Sequence, residues 1–152
     1  MMIRNPLSTR SRSSGFTLIE LMVVLVILGL LASIVTLKVV GQTDKARVTK
    51  AKVEVQKLGQ ALNMYKLDNF VYPSTQQGLQ ALVHRPSGDP PAPNWQSGGY
   101  VNRLPIDPWG HPYQYLNPGT HGGDYDLFSL GPTGKPGGTG ENAEIGNWNL
   151  GN

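Results

Sequence analysis

Apolar positions in this chain follow two successive patterns. From Phe16 to Val35 they are almost continuous, with Glu20 as the one charged residue in the run. At 1.5 Å per residue such a run covers roughly 30 Å as a helix, the thickness of a bilayer core. Further on, Val48, Ala51, Val55, Leu58, Leu62 and Tyr65 recur at alternating steps of three and four among charges and glutamines. That spacing gives a helix with a single apolar stripe. Together the two patterns predict one helix from about Phe16 to Asn69, on the order of 80 Å long. The stripe reads as a coiled-coil seam or as the face on which a C-terminal head packs. Apolar residues beyond position 70 need a cover, which favours the head. Phe70-Val71-Tyr72-Pro73 ends the helix, because Pro73 disfavours helical geometry at Tyr72.

The pattern then breaks into short pieces. Ser74-Thr75-Gln76-Gln77 reads as a capping box, with Ser74 as the cap and Gln77 reaching back. It predicts a short helix to about His84, with Leu79, Leu82 and Val83 inward. Pro86 to Gly99 is rich in Pro, Gly and Ser and reads as a loop. Trp95 within it is a packing anchor, or else a partner contact. Asp107-Pro108-Trp109-Gly110 is a turn signal, since Pro presets φ and Gly allows the reversal. Strands are predicted over 112–116, with Tyr113 and Tyr115 alternating, over 124–130, with Tyr125, Leu127 and Ser129 on one face, and over 145–150. The expected class is α+β: a long helix whose second half carries a small antiparallel sheet.

A length of 152 residues suggests one modest domain. With no cysteine, no disulfide can staple it. The formal charge of +3 sits wholly in Arg4, Arg10 and Arg12. Beyond them, positions 38–66 are basic, with Lys38, Lys45, Arg47, Lys50, Lys52, Lys57 and Lys66 against Asp44 and Glu54, while 70–152 is acidic. A basic stem and an acidic tip suit head-to-shaft packing between copies, or a stem close to anionic lipid. The simpler reading is a solvated helix face.

Glu20 is the feature that composition does not explain. An unpaired carboxylate in hydrocarbon is costly and is a functional candidate by default. Three arginines and no acid precede it. A secretory signal is cut after its apolar region, at small residues. Here the small residue, Gly15, comes before the apolar run, so a cut there leaves the span on the mature chain. That cut would free the α-ammonium of Phe16, a cation for Glu20 to pair with. Favourable interaction of Glu20 with the helix dipole is a compatible alternative. Leader bases held in the cytoplasm predict a single span with the N-terminus inside. A buried core helix is disfavoured, because the rest of the chain is too small to surround it.

The segment Gly15-Phe16-Thr17-Leu18-Ile19-Glu20, with its basic leader and apolar helix, resembles the class III signal of type IV pilins and pseudopilins. Asp68 to Leu79, Leu104-Pro105-Ile106-Asp107-Pro108-Trp109-Gly110, Pro112-Tyr113-Gln114-Tyr115, Asp126 to Gly131 and Ile145-Gly146-Asn147-Trp148 resemble the major pseudopilin family of type II secretion, the G subunit of the general secretory pathway. The resemblance implies a leader over 1–15, a transmembrane and assembly helix over 16–37, and a periplasmic head over 38–152. It implies processing at Gly15 and Phe16 by a prepilin peptidase that also N-methylates Phe16, and pairing of Glu20 with the Phe16 amine of a neighbouring copy. The implied partners are the chain itself, minor pseudopilins, the peptidase and N-methyltransferase, the inner-membrane secretion platform and membrane lipid. Nucleic acid is not expected among them. The implied place is the bacterial inner membrane, with the head in the periplasm.

The resemblance also implies a calcium ion in the Gly131–Gly146 loop. Candidate ligands are the Leu130 carbonyl, Thr133, Glu141, Asn142 and Glu144. Calcium takes six to eight oxygens, and its affinity follows carboxylate count. This chain departs from the family at Thr133 and near Gly140, where relatives carry acids. The alternative is a metal-free loop fixed by Trp148 and backbone bonds. A second departure is the absence of proline from Ser33-Ile34-Val35-Thr36-Leu37-Lys38-Val39-Val40, which predicts a straighter stem with Gly29 and Gly41 as weak points.

No catalytic constellation is present. His84, His111 and His121 are scattered, no third ligand supports a zinc pair of His111 and His121, and no phosphate loop follows a strand. The function that the resemblance implies is structural: a subunit of the type II secretion pseudopilus, a periplasmic filament that drives export of folded proteins across the outer membrane. The alternative is a pilin-like subunit with a DNA-capture or adhesion role, motivated by the basic stem.

Overall fold

The computed structural model describes residues 15–151, and of 34–42 the backbone alone. Arg4, Arg10 and Arg12 lie outside those described residues, and of the proline-free stretch 34–40 only the backbone, part of the long helix, is described. A long helix, α1 (Leu18–Asn69), is followed by a 3-10 turn at Leu79–Leu82 and three short strands: β1 (Gln114–Leu116), β2 (Asp126–Ser129) and β3 (Ile145–Gly146). Helix plus small antiparallel sheet is the expected α+β class. The chain divides into two compact units between Gly41 and Gln42.

In the N-terminal unit, α1 opens on a cap that the sequence reading passed over. Thr17 Oγ1 accepts a bond from the Glu20 amide at 3.3 Å, so Thr17-Leu18-Ile19-Glu20 has Thr at the cap and the acid three residues on. From Phe16 to Leu31 the large apolar side chains are exposed all round. A helix apolar on every side is one that another apolar medium covers. Among the described residues no helix is long and apolar enough to cross a membrane; the apolar run of the sequence continues past Ser33 into positions whose side chains are not described.

In the C-terminal unit the stripe on α1 turns inward. Ala51, Val55, Leu58, Leu62 and Tyr65 are buried, and with Leu79, Leu82, Tyr113, Tyr115 and Leu127 they form the core. The stripe is thus the floor of the head rather than a coiled-coil seam. α1 stops at Asn69, and Phe70 takes a left-handed conformation with φ 66°. Asn69 Nδ2 donates to the Tyr65 carbonyl and to Tyr100 Oη, and the Phe70 backbone amide to Lys66 O. These satisfy carbonyls that the helix end leaves open.

The capping box at Ser74 forms in both directions. Ser74 N donates to Gln77 Oε1 at 3.0 Å and Gln77 N to Ser74 Oγ at 3.3 Å. It closes a tight turn leading into Leu79–Leu82 rather than an α-helix to His84. Gln77 explains the shortening, because its amide also donates to Pro90 O and pulls the segment toward the following loop. Leu79 and Leu82 point inward and Val83 is half-buried. Trp95 is the packing anchor: its indole N–H donates to Ala81 O at 2.7 Å, and its ring packs edge-on to Tyr100.

The sheet order is β1-β2-β3, antiparallel throughout, with Tyr115 opposite Leu127 and Ser129 opposite Ile145. β3 is two residues, not six. Beyond Gly146 asparagine side chains replace the ladder: Leu127 N donates to Asn147 Oδ1 and Gly146 N to Asn149 Oδ1.

Candidate functional site

At the N-terminal end of the described residues, Gly15 and Phe16 precede α1 and are exposed, as is Glu20. Glu20's backbone is engaged by Thr17, but its carboxylate makes no ion pair or hydrogen bond among the described residues. In the first turn of α1 it lies where the helix dipole favours a negative charge. That contribution is modest, of order 0.3–1 kcal/mol. It does not offset the several kcal/mol that an unpaired charge costs in an apolar surrounding. Among the described residues no cation meets this carboxylate.

The head carries two buried carboxylates, and the sequence reading assigned neither a task. Asp107 begins the turn read from the sequence. Its Oδ1 accepts from Trp109 N at 3.0 Å and His111 N at 2.7 Å, and its Oδ2 accepts from Ser129 Oγ. Ser129 Oγ in turn accepts from Gly131 N at 3.0 Å. The turn is thereby bolted to β2 and to the start of the C-terminal loop. Asp126 faces the opposite side of β2. Burial alone would raise its pKa, yet bonds from Thr120 and His121, by side chain and by amide, hold it down to about 2. Thr120 N, Thr120 Oγ1 and His121 Nδ1 lie 2.6–2.9 Å from Asp126 Oδ2. The alternation of Tyr125, Leu127 and Ser129 was legible; the polar burial of Asp126 between them was not.

The C-terminal loop is organised around these anchors. Trp148 packs on His121 and Phe128, and a Cβ at Gly146 would collide with the indole, so a larger residue there must displace Trp148. Thr133 Oγ1 is engaged with both the amide and the carbonyl of Lys135. Glu144 Oε1 accepts from Gly137 N at 3.1 Å. Glu141 and Asn142 stand exposed on the 3-10 turn Gly140–Asn142, and Leu130 is half-buried where the loop begins. These donors are all oxygens, the kind a hard cation takes. Only one carboxylate, that of Glu141, is uncommitted, and among the described residues no three His, Cys, Asp or Glu side chains converge. The set fits calcium in kind, with a charge count that makes for weak binding. His111 and His121 serve different carboxylates, Asp107 and Asp126.

An apolar N-terminal helix whose acid is unpaired among the described residues, continuing into a helix-backed three-stranded head, defines a pilin-like subunit. Residues 38–148 match the family model described as type II secretion system (T2SS), protein G, and residues 10–36 match the prokaryotic N-terminal methylation motif. The chain is 58% identical to the type II secretion system core protein G of Pseudomonas aeruginosa over 139 residues, covering 91% of this chain and 97% of that one. To the core protein G of Vibrio cholerae it is 53% identical, covering 91% and 94%. The crystal structure of the major pseudopilin from the type 2 secretion system of enterohaemorrhagic Escherichia coli matches with a TM-score of 0.67 and 48% identity, covering 74% of this chain and 91% of that one. The chain belongs to the type II secretion protein G family, and its function is that of a pseudopilin. Nothing in these likenesses favours the DNA-capture or adhesion alternative.

Proposed function

We propose that the chain is made as a precursor, cut between Gly15 and Phe16, methylated on the new amine, and held in the inner membrane by the Phe16–Val35 run with its head in the periplasm. From there it polymerises with copies of itself and with other pseudopilins, on the secretion platform, into a filament that drives folded proteins outward. It is a substrate of the peptidase and a structural part, not a catalyst.

The observation that carries this reading is Glu20: its backbone is capped, its carboxylate is unpartnered among the described residues, and its surroundings are apolar. A Phe16 ammonium on a neighbouring copy answers that need, and methylation leaves its charge in place at neutral pH. Pairing also sets register, since a slipped copy would leave two charges unpaired in apolar contact. Glu20→Ala tests it. The variant should reach the membrane fraction and be processed, yet yield no filaments on overproduction. Wild-type filament yield would remove the pairing.

For the loop, we propose that calcium is held weakly by the Leu130 carbonyl, Thr133, Glu141 and Asn142. When bound it supplies a cross-link between the loop and the end of β2. The protein's own bonds, Glu144 to Gly137 and Trp148 to His121, hold the loop at low calcium.

A further inference from the structure

The end of α1 carries an apolar surface that the head's own packing does not use. Phe70 is 76% exposed and, among the described residues, is the one non-glycine with positive φ. A left-handed conformation strains an L-residue by roughly 1–2 kcal/mol. The left-handed turn ends α1, but glycine or asparagine would do so with less strain and the exposed aromatic ring adds nothing to it; such outliers gather at functional positions. Met64 and Leu67 precede it at helical spacing, 52% and 72% exposed. Leu67 and Phe70, with Asn63 and Lys66, line an open cleft of about 470 Å³. Asp68, beside Leu67, bonds Tyr100 but meets no cation among the described residues.

A second apolar site lies elsewhere on the head. Ile106, 62% exposed, borders a cleft of about 530 Å³ lined by Lys50, Glu54, Arg103, Leu104 and Pro105. Arg103 is exposed and meets no carboxylate among the described residues. Lys50 at this site and Lys66 at the other stand roughly 24 Å apart along α1. The two surfaces are unlike each other and separated along the helix; Lys66 and Glu54 within them are paired with Asp124 and Lys50, which leaves Asp68 near one and Arg103 at the other without an opposite charge among the described residues. Unlike surfaces meeting head to tail build an open helical polymer rather than a closed dimer.

We propose that Phe70, with Met64 and Leu67, docks on the Ile106–Arg103 surface of a second copy of this chain, with Asp68 facing Arg103. The proposal rests on the filament reading above and names the head-to-head contact within it.

The chain has no cysteine, so introduced thiols report only on themselves. Val71→Cys and Asn102→Cys flank the two surfaces without removing their anchors. Treated in assembled filaments with a short bismaleimide, the double variant should give a ladder of covalent oligomers and each single variant only monomers. A dimer from Val71→Cys alone, or filaments of the double variant with no ladder, would overturn the contact and leave the filament reading standing. Failure of the wild-type chain to form filaments would overturn both. Phe70→Asn gives a readout independent of crosslinking. Asparagine accepts the left-handed conformation, so the purified chain should melt no lower than wild type, while filament yield falls roughly tenfold. Unchanged yield would overturn the proposal.

Discussion

The imidazole of His121 lies flat on the indole of Trp148, with ring centroids 3.7 Å apart and planes within 5°. The same histidine bonds Asp126 at 2.9 Å. One residue thus joins the loop after β1, a buried acid on β2 and the C-terminal loop. Trp148→Ala should therefore loosen both loops together, at a cost of about 2 kcal/mol, below that of a fully buried tryptophan because Trp148 is only half-buried. Urea denaturation of the detergent-solubilised chain measures it. Amide exchange should rise in both 117–124 and 131–146; a rise confined to one loop would contradict the clamp.

Acid should act through Asp126. Its folded pKa, about 2, lies below the ordinary 3.8, so its contribution is present above about pH 4 and is lost as pH falls toward 2. One pKa unit is worth about 1.4 kcal/mol, which sets the contribution at about 2 kcal/mol. Asp126→Asn should lower stability at pH 7 by about that amount and flatten the fall between pH 4 and 2. An unchanged slope in that window would assign acid sensitivity to another group.

Two buried tyrosines should respond in opposite ways to loss of the hydroxyl. Tyr115 Oη donates to Pro73 O at 2.9 Å, whereas Tyr65 Oη is buried with no bond among the described residues. Tyr115→Phe should cost about 1 kcal/mol, and Tyr65→Phe should be neutral or stabilising. Thermal melts of the two variants decide it. Equal losses would mean that Tyr65 has a partner.

Calcium should raise the melting temperature only at high concentration, with a midpoint on the order of 0.1–1 mM, the range of weak extracellular sites. Thr133→Asp should shift that midpoint downward by adding a carboxylate. No response to calcium in either chain would leave the loop to its own hydrogen bonds.

Much of this was readable because helix periodicity and turn chemistry are local. The stripe from Ala51 to Tyr65, the Ser74–Gln77 box and the Asp107 turn all depend on neighbours within a few residues. What was not readable depends on distant partners. The turn after the box stays short because Gln77 reaches Pro90. β3 stops early because Asn147 and Asn149 take over its bonds. Asp126 is buried because Thr120 and His121 fold over it. At the site, Gly15, Phe16 and Glu20 stood out as a charge anomaly, whereas Phe70 looked like an ordinary helix terminator until its backbone and exposure were seen together.

The proposed assembly rests on Glu20 pairing with the amine that a cut between Gly15 and Phe16 would create. The most direct measurement is the intact mass of the chain recovered from assembled filaments. The expected result is a polypeptide that begins at a methylated Phe16. Filaments built from chains that still carry residues 1–15 would contradict it.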